Sequence, residues 1–502
     1  MKWTNESRGR LVLIDRFDPP FVGGRMMRLA MLALLAQACG GSTGTAPTPA
    51  PTPTPGPPPS IVFVLTDDLD VQSMPYMPKA LSLVASQGVT FTNSFVTTSL
   101  CAPSRATILT GQYAHNNGMM QNVAPRGGYD KFYGEGRESS TIATWLKAAG
   151  YRTILLGKYL NGYPSGSPAY IPPGWDDWHA DFSDGDGAET GDNYYDYYLN
   201  DNGVVTWHGH DPSDYLTDVV ASRSLDALKS VPAGQPFFMY LAPRAPHQPA
   251  IRAPRHDGLF ASLGAPRTPN WNESDMTGKP DWLREFPPFT AQVELQIDRR
   301  YRDRLGCLQS VDDMLEKIVG ELDAEGRLAN TYIVLASDNG FLLGPHRFPH
   351  GKEAPYEESI RVPLLVRGPG IPAGQSRDAL VFNVDYAATF MEWARASAPD
   401  LDGRSLATLL RTGSPADWRT DLLLEHWQPA LTASGSAIPD FVGLRTTNYK
   451  FVEYPNGQVE LYDILGDPYE LSNQYFANNV TLLQQLSARV AALKACRGAA
   501  CR

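Results

Sequence analysis

The 502-residue chain is short of cysteine, short of positive charge, and without an apolar run long enough to cross a bilayer. Its five cysteines, Cys39, Cys101, Cys307, Cys496 and Cys501, are too few for a disulfide framework, so a hydrophobic core must hold the fold. Cys496 and Cys501 enclose four residues, a spacing open to a local disulfide and equally to two separate thiols in a frayed tail. Cys307 falls in a helical pattern and reads as a small buried residue. With 43 Lys and Arg against 54 Asp and Glu the net charge is -11, which argues against a nucleic-acid partner, because phosphate neutralisation needs clustered cations. An anionic substrate is not excluded, since an acidic protein can still hold a basic pocket. The 42% hydrophobic content over this length suffices for a large catalytic domain and a smaller one.

Residues 1–25 carry Arg8, Arg10, Asp15, Arg16 and Asp18 and form neither a core pattern nor a signal. From Met26 the chain reads as a basic start, a short apolar stretch and small residues before Cys39, the pattern of an export signal over 26–39. Translation is therefore expected to begin at Met26 or Met27, with 1–25 a mis-assigned start. Cys39 is similar to the lipid-carrying cysteine of bacterial lipoproteins, although Ala36 and Gln37 depart from that pattern. Residues 40–59 contain only Gly, Ser, Thr, Ala and Pro and form an extended tether. The protein is accordingly expected to be exported, as a periplasmic or cell-surface lipoprotein tethered to the membrane through Cys39, or otherwise secreted.

Folded sequence begins near Ser60. Ile61–Leu65, Phe237–Leu241, Tyr332–Ala336 and Pro363–Val366 are continuous apolar runs of strand length, as in strands buried on both faces. Helical periodicity occupies Ser140–Ala149, Tyr215–Val231 and about Arg300 to Gly326. Strands alternating with helices predict an α/β catalytic domain over 60–395. The stretch 180–290, rich in turns, Trp, Pro and charge, is expected to be long loops. Beyond Ala396, strand candidates at Phe441–Arg445, Tyr449–Tyr454 and Val459–Tyr462 precede a helix at Thr481–Lys494, giving a small α+β domain over 396–502.

Asp67 and Asp68 follow the first strand after a single Thr, at the end where open α/β sheets bind ligands. Alone, such a pair is a turn capping a helix. A second strand, however, runs into Ser337-Asp338-Asn339-Gly340. Two strand-end sets of oxygen donors suit one shared hard cation, which relieves the repulsion between adjacent carboxylates.

Cys101-Ala102-Pro103-Ser104-Arg105, followed by Leu109-Thr110-Gly111, resembles the signature of the formylglycine-dependent sulfatases. The resemblance implies an alkaline-phosphatase-like mixed central sheet flanked by helices. It implies that a maturation enzyme oxidises Cys101 to formylglycine. One hydroxyl of the hydrated aldehyde would attack sulfur and the other would expel sulfate. It further implies Ca²⁺, or else Mg²⁺, held by Asp67, Asp68, Asp338, Asn339 and the converted Cys101. With a helix beginning at Pro103, Arg105 would share the nucleophile's face. Lys158 in Gly157-Lys158, His247 in Pro246-His247 and Lys352 in Gly351-Lys352 match the family's sulfate-contacting positions, and His115 is a candidate for orienting the formylglycine. Where some relatives place His four residues after the metal Asp this chain has Leu342, and His346 is the substitute candidate.

Phe95–Thr98, Gly157–Tyr163, Ser310–Asp313 and Arg361–Gly370 also resemble N-acetylglucosamine-6-sulfatase and the extracellular heparan endosulfatases. The expected substrate is thus a sulfated amino sugar or glycan. The alternatives are an arylsulfatase, a phosphonate monoester hydrolase on the same scaffold, and an anion-binding lipoprotein whose Cys101 is never converted.

Overall fold

The computed structural model describes residues 56–182, 194–427, 438–477 and 479–502. The expected start, export signal, lipid-bearing Cys39 and most of the tether lie outside these residues. The apolar runs become strands of one ten-stranded sheet. In chain order its strands are β1 (Ser60–Thr66), β2 (Val89–Phe91), β3 (Arg152–Gly157), β4 (Asp177–Phe182), β5 (Tyr197–Asp201), β6 (Val204–His208), β7 (Phe237–Ala242), β8 (Thr331–Ser337), β9 (Leu364–Arg367) and β10 (Gln375–Arg377). Their spatial order is β10-β2-β9-β8-β1-β7-β3-β4-β5-β6. The stretch β8-β1-β7-β3-β4 is parallel, with Ile61 opposite Tyr332 on one side and Phe238 on the other. Antiparallel pairings flank it at β8/β9 and β4/β5, so the sheet is mixed.

Alternation along β1 feeds two cores. Val62 and Val64 face a cluster built by α3 (Leu216–Ser230) and α4 (Ala291–Ala324), once α1 (Cys101–Thr110) and α2 (Ile142–Ala148) are assigned to the opposite face. On that opposite face Ile61, Phe63 and Leu65 meet α1, α2 and α5 (Asp385–Ala394). Helices thus cover both faces, as the resemblance implied. Helix α4 starts at Ala291, well before the expected Arg300, because the Thr290 side chain caps it by accepting from Val293 N at 3.4 Å.

A separate antiparallel sheet follows: β11 (Asp421–His426), β12 (Phe441–Thr446), β13 (Tyr449–Glu453) and β14 (Val459–Asp463), with α6 (Val480–Lys494) sharing its core. Cys496 and Cys501 form a disulfide just after α6. The expectation of loops over 180–290 fails in part. Strands β4, β5 and β6 extend the sheet, and the Trp178 side chain of β4 is fully buried. The sequence Asp-Trp-His-Ala-Asp-Phe hides this strand because its polar groups are satisfied locally: His179 pairs with Asp177 at 2.9 Å and Asp201 at 2.6 Å. From Ala250 to Thr290 the chain does run mostly as turns and short helices.

Candidate active site

Parallel strands aligned side by side deliver their following residues to one edge, and here that edge carries the chemistry. Asp67 and Asp68 leave β1, Asp338 and Asn339 leave β8, Lys158 leaves β3, and the loop after β7 holds His247. Asp68 has a left-handed backbone (φ 69°), held in place because its N–H donates to Asp338 Oδ1 at 3.1 Å. Two glycines are required by close approach. A Cβ on Gly157 would lie 2.3 Å from the Ala242 carbonyl oxygen, and one on Gly340 would lie 2.2 Å from that of Glu358. Gly340 thus lets the β8 loop pass against the backbone at Glu358.

Helix α1 begins at Cys101 itself, two residues before the expected Pro103, with Leu100 as N-cap. This puts Cys101 at the positive end of a ten-residue helix, a favourable place for an anion. Arg105, one turn on, is fully buried. Its Nε donates to Asp338 Oδ2 at 2.8 Å, its Nη1 donates to the Lys158 carbonyl at 2.9 Å, and its Nη2 lies 3.6 Å from Asp67 Oδ2. The Cys101 thiol reaches Asp67 Oδ1 at 3.4 Å and accepts from Lys352 Nζ at 2.8 Å. Lys352 also donates to Asp68 Oδ1, and Lys158 to Asp67 Oδ2, each at 2.5 Å. His247 Nε2 stands 3.9 Å from Asp68 Oδ2, while its Nδ1 is 2.6 Å from the Gln248 carbonyl.

The structure therefore brings together Asp67, Asp68, Cys101, Arg105, Lys158, His247, Asp338, Asn339 and Lys352. Three carboxylates face three permanent cations in the ion pairs that link them. Burial alone would raise the Asp67 carboxyl, but Lys158, His247, Arg105 and Lys352 together hold it well below the usual range. Asp338 is instead pushed up by burial and by the neighbouring Asp67, against Arg105. Burial would lower Lys352, yet Asp68, the Cys101 sulfur, Asp67 and Asp338 keep its ammonium charged well above its ordinary range.

Two buried atoms among them lack a hydrogen-bond partner: Arg105 Nη2, which meets Asp67 only as an ion pair, and Asn339 Oδ1, whose own Nδ2 donates to Asp68 Oδ1 at 2.6 Å. An unpaired buried amide oxygen beside two carboxylates fits a hard cation. Ligand atoms of Asp67, Asp68, Cys101 and His247 lie within 4.8 Å of one another, so the residues present fit a divalent ion.

Two expected positions lie elsewhere. His115 spends Nδ1 on Glu425 Oε1 (2.7 Å) and Nε2 on the Cys496 carbonyl (3.1 Å), tying α1's following loop to the C-terminal segment rather than orienting residue 101. His346 is held by Glu273 at 2.7 Å and Asn270 at 3.2 Å, so it does not replace the histidine missing at Leu342. His346, Glu358 and Glu470 also gather within 4.8 Å, but Lys450 already pairs with Glu470 at 2.6 Å and Lys279 donates to the Glu470 carbonyl. The Lys450 ammonium thus already neutralises the Glu470 carboxylate that a metal there would need.

Sequence reading missed Arg304. This fully buried arginine of α4 donates to the Asp68 carbonyl, to the Pro246 carbonyl at 3.2 Å and to Asp70 Oδ2 at 3.0 Å, tying the Asp68 and His247 loops together. Its signal was a charge placed among the apolar positions of an amphipathic helix.

Comparison with known proteins agrees with this geometry. The family model described as Sulfatase matches residues 59–396, two thirds of the chain. The chain belongs to the sulfatase family. A model of the C-terminal region of N-sulphoglucosamine sulphohydrolase matches residues 344–495 of this sulfatase. Human N-acetylglucosamine-6-sulfatase is 35% identical over 94% of this chain and 90% of its own. N-acetylglucosamine-6-O-sulfatase of Bacteroides thetaiotaomicron is 28% identical, covering 82% of each chain. A solved structure described as a complex with its substrate D-glucosamine-2-N,6-O-disulfate superposes with a TM-score of 0.73 and 26% identity, over 86% of this chain and 97% of its own. A phosphonate monoester hydrolase of Agrobacterium radiobacter (TM-score 0.69, 20% identity, 87% and 95% covered) shares the fold.

Proposed function

We propose that this sulfatase removes the 6-O-sulfate of a sulfated glucosamine, with Cys101 converted to formylglycine and a divalent cation, Ca²⁺ or Mg²⁺, held by Asp67, Asp68, Asp338, Asn339 and residue 101. The reading is carried by one observation: the Cys101 side chain, two strand-end carboxylate sets and two lysines share a single buried cluster. The 6-sulfated glucosamine is supported by the names of two relatives and by the sugar bound in the solved neighbour.

The hydrated formylglycine supplies the attacking hydroxyl, and the cation, when bound, supplies the Lewis acidity that eases loss of its proton. The chain's own residues do the remainder. Lys158 and Lys352 are long ammonium donors at the cluster and bind sulfate oxygens, where charge develops. The positive end of α1 adds to the same field. Arg105 holds Asp67 and Asp338 in position. His247 delivers a proton to the departing sugar oxygen. Export agrees with the Cys496–Cys501 disulfide, which persists in oxidising compartments. In this reading a formylglycine-generating enzyme matures the protein, Cys39 carries a lipid tether, and the chain divides at 60–395 and 396–502.

The test is sulfate release by protein co-produced with a maturation enzyme, with the mass of the Cys101 peptide checked in parallel. Substrates are N-acetylglucosamine 6-sulfate, an aryl sulfate and a phosphonate monoester. Preference for the 6-sulfated sugar is expected. Turnover of the phosphonate or aryl sulfate alone refutes the substrate. An unconverted Cys101 in active protein refutes the nucleophile.

A further inference from the structure

Beside the reacting centre, α4 holds a cation that has no ion-pair partner among the described residues. Four arginines fall within Arg299–Arg304. Arg299 lies 3.7 Å from Asp303, Arg302 donates to the Leu263 carbonyl at 2.8 Å, and Arg304 pairs with Asp70 at 3.0 Å. The Arg300 side chain makes a single hydrogen bond among the described residues, from Nε to Gln248 Oε1 at 3.1 Å. Its Nη1 and Nη2 have no acceptor among the described residues. The side chain is only partly exposed, and it sits one helical turn from the buried Arg304, an arrangement of like charges that disfavours the helix. Burial and Arg304 both act against its positive charge, while Asp303 offsets them only in part.

Three connections locate Arg300 at the active site. Gln248 follows His247, whose ring stands 3.9 Å from Asp68. Arg304, one turn along α4, donates to the Asp68 and Pro246 carbonyls. His350, which Arg300 influences electrostatically, precedes by two residues the Lys352 that touches Cys101. Surrounding protein and the nearby Arg300 charge depress the His350 pKa to about 4. A second donor is also left over: Gln248 Nε2 is buried and unpaired. A guanidinium fork and an orphaned amide N–H, joined through Gln248 Oε1, form a donor pair that lacks an oxyanion.

We propose that Arg300 and Gln248 bind a second anionic group of the substrate, a sulfate or carboxylate carried beside the 6-sulfated position, and so select multiply charged sugars over singly charged ones. The inference rests on the sugar reading above and adds the recognition element to it. Arg300 acts here in specificity, not in the chemical step.

Binding, which does not depend on turnover, is the direct test. Calorimetry on Cys101→Ala protein compares glucosamine 2-N,6-O-disulfate, N-acetylglucosamine 6-sulfate, and a disaccharide joining a uronate to N-acetylglucosamine 6-sulfate. A charge-assisted, two-pronged contact predicts about tenfold to a hundredfold tighter binding of the sugar that carries the second anion. The N-sulfated sugar winning identifies a sulfate site, and the uronate disaccharide winning identifies a carboxylate site. Arg300→Gln should bring the affinity ratio close to one, and Arg300→Lys, which keeps charge but loses the fork, should restore part of it. Thermal unfolding of each variant checks that the fold is retained. Equal affinity for all three sugars overturns the proposal, as does an equal loss on all of them in Arg300→Gln. A persisting preference in binding, combined with no sulfate release from unaltered enzyme, counts instead against the proposed hydrolysis.

Discussion

Replacing Arg304 by Met removes a charge while roughly keeping volume, and the structure says what is left behind. Asp70 keeps its bonds to Ser73, with Ser73 N donating at 2.9 Å, but loses its only cationic partner among the described residues at a site 7% exposed. Two carbonyls, of Asp68 and Pro246, lose their donor as well. Breaking a buried pair by deleting one partner costs about 3–5 kcal/mol. The loops carrying Asp68 and His247 lose their shared anchor, and a displacement of about 1 Å at a reacting centre costs about a hundredfold in rate. Urea unfolding and kcat/KM on a sulfate ester measure the two effects. A second substitution separates them from a general packing defect. In Arg304→Met with Asp70→Asn the stranded charge is gone, so the double variant should be more stable than the sum of the single losses by about 0.5–3 kcal/mol. Strict additivity, or an Arg304→Met loss below about 1 kcal/mol, refutes the assigned role.

Cys101→Ala should abolish sulfate release while circular dichroism and the unfolding midpoint stay near those of the parent; retained turnover sinks the covalent route. Exhaustive chelation should inactivate the enzyme reversibly, and adding Ca²⁺ or Mg²⁺ at about a hundred times its Kd should raise stability by about 2.7 kcal/mol, read by thermal unfolding as well as activity. Glu138, buried beside Tyr170 OH at 2.8 Å, has its pKa raised by burial to about 6, against the pull of the Tyr170 and Tyr159 hydroxyls. Because its folded pKa lies above the unfolded value of 4.5, the fold favours the protonated form, so stability should fall by on the order of 2 kcal/mol as pH rises from below 4.5 to above 6. Glu138→Gln should flatten that part of the profile, and an unchanged slope contradicts the assignment.

The site was legible where its residues are bound to local pattern. Asp67, Asp68, Asp338 and Asn339 follow apolar runs that can hardly be anything but buried parallel strands, and such strands put their ends together. Cys101 and Arg105 sit in a motif whose helical spacing brings both to one face. What escaped was decided by distant partners. Strand β4 is polar because His179, Asp177 and Asp201 satisfy one another across β4 and β5. His115 and His346 looked available in the sequence, but their rings are engaged by Glu425, the Cys496 carbonyl, Glu273 and Asn270, residues far away along the chain.

By itself the sequence determined the family, the central strands and the set of charged groups at their carboxyl ends, because hydrophobic runs, motif spacing and strand direction are local properties. Only the tertiary structure decided which cations are spent and which are spare. Arg304 and Arg300 differ by one turn of the same helix, yet one is fully buried against two backbone carbonyls and Asp70 while the other, among the described residues, hydrogen-bonds through its side chain only to Gln248. That difference lies in the loops packed against α4, whose placement comes from long-range contacts that no short stretch of sequence encodes.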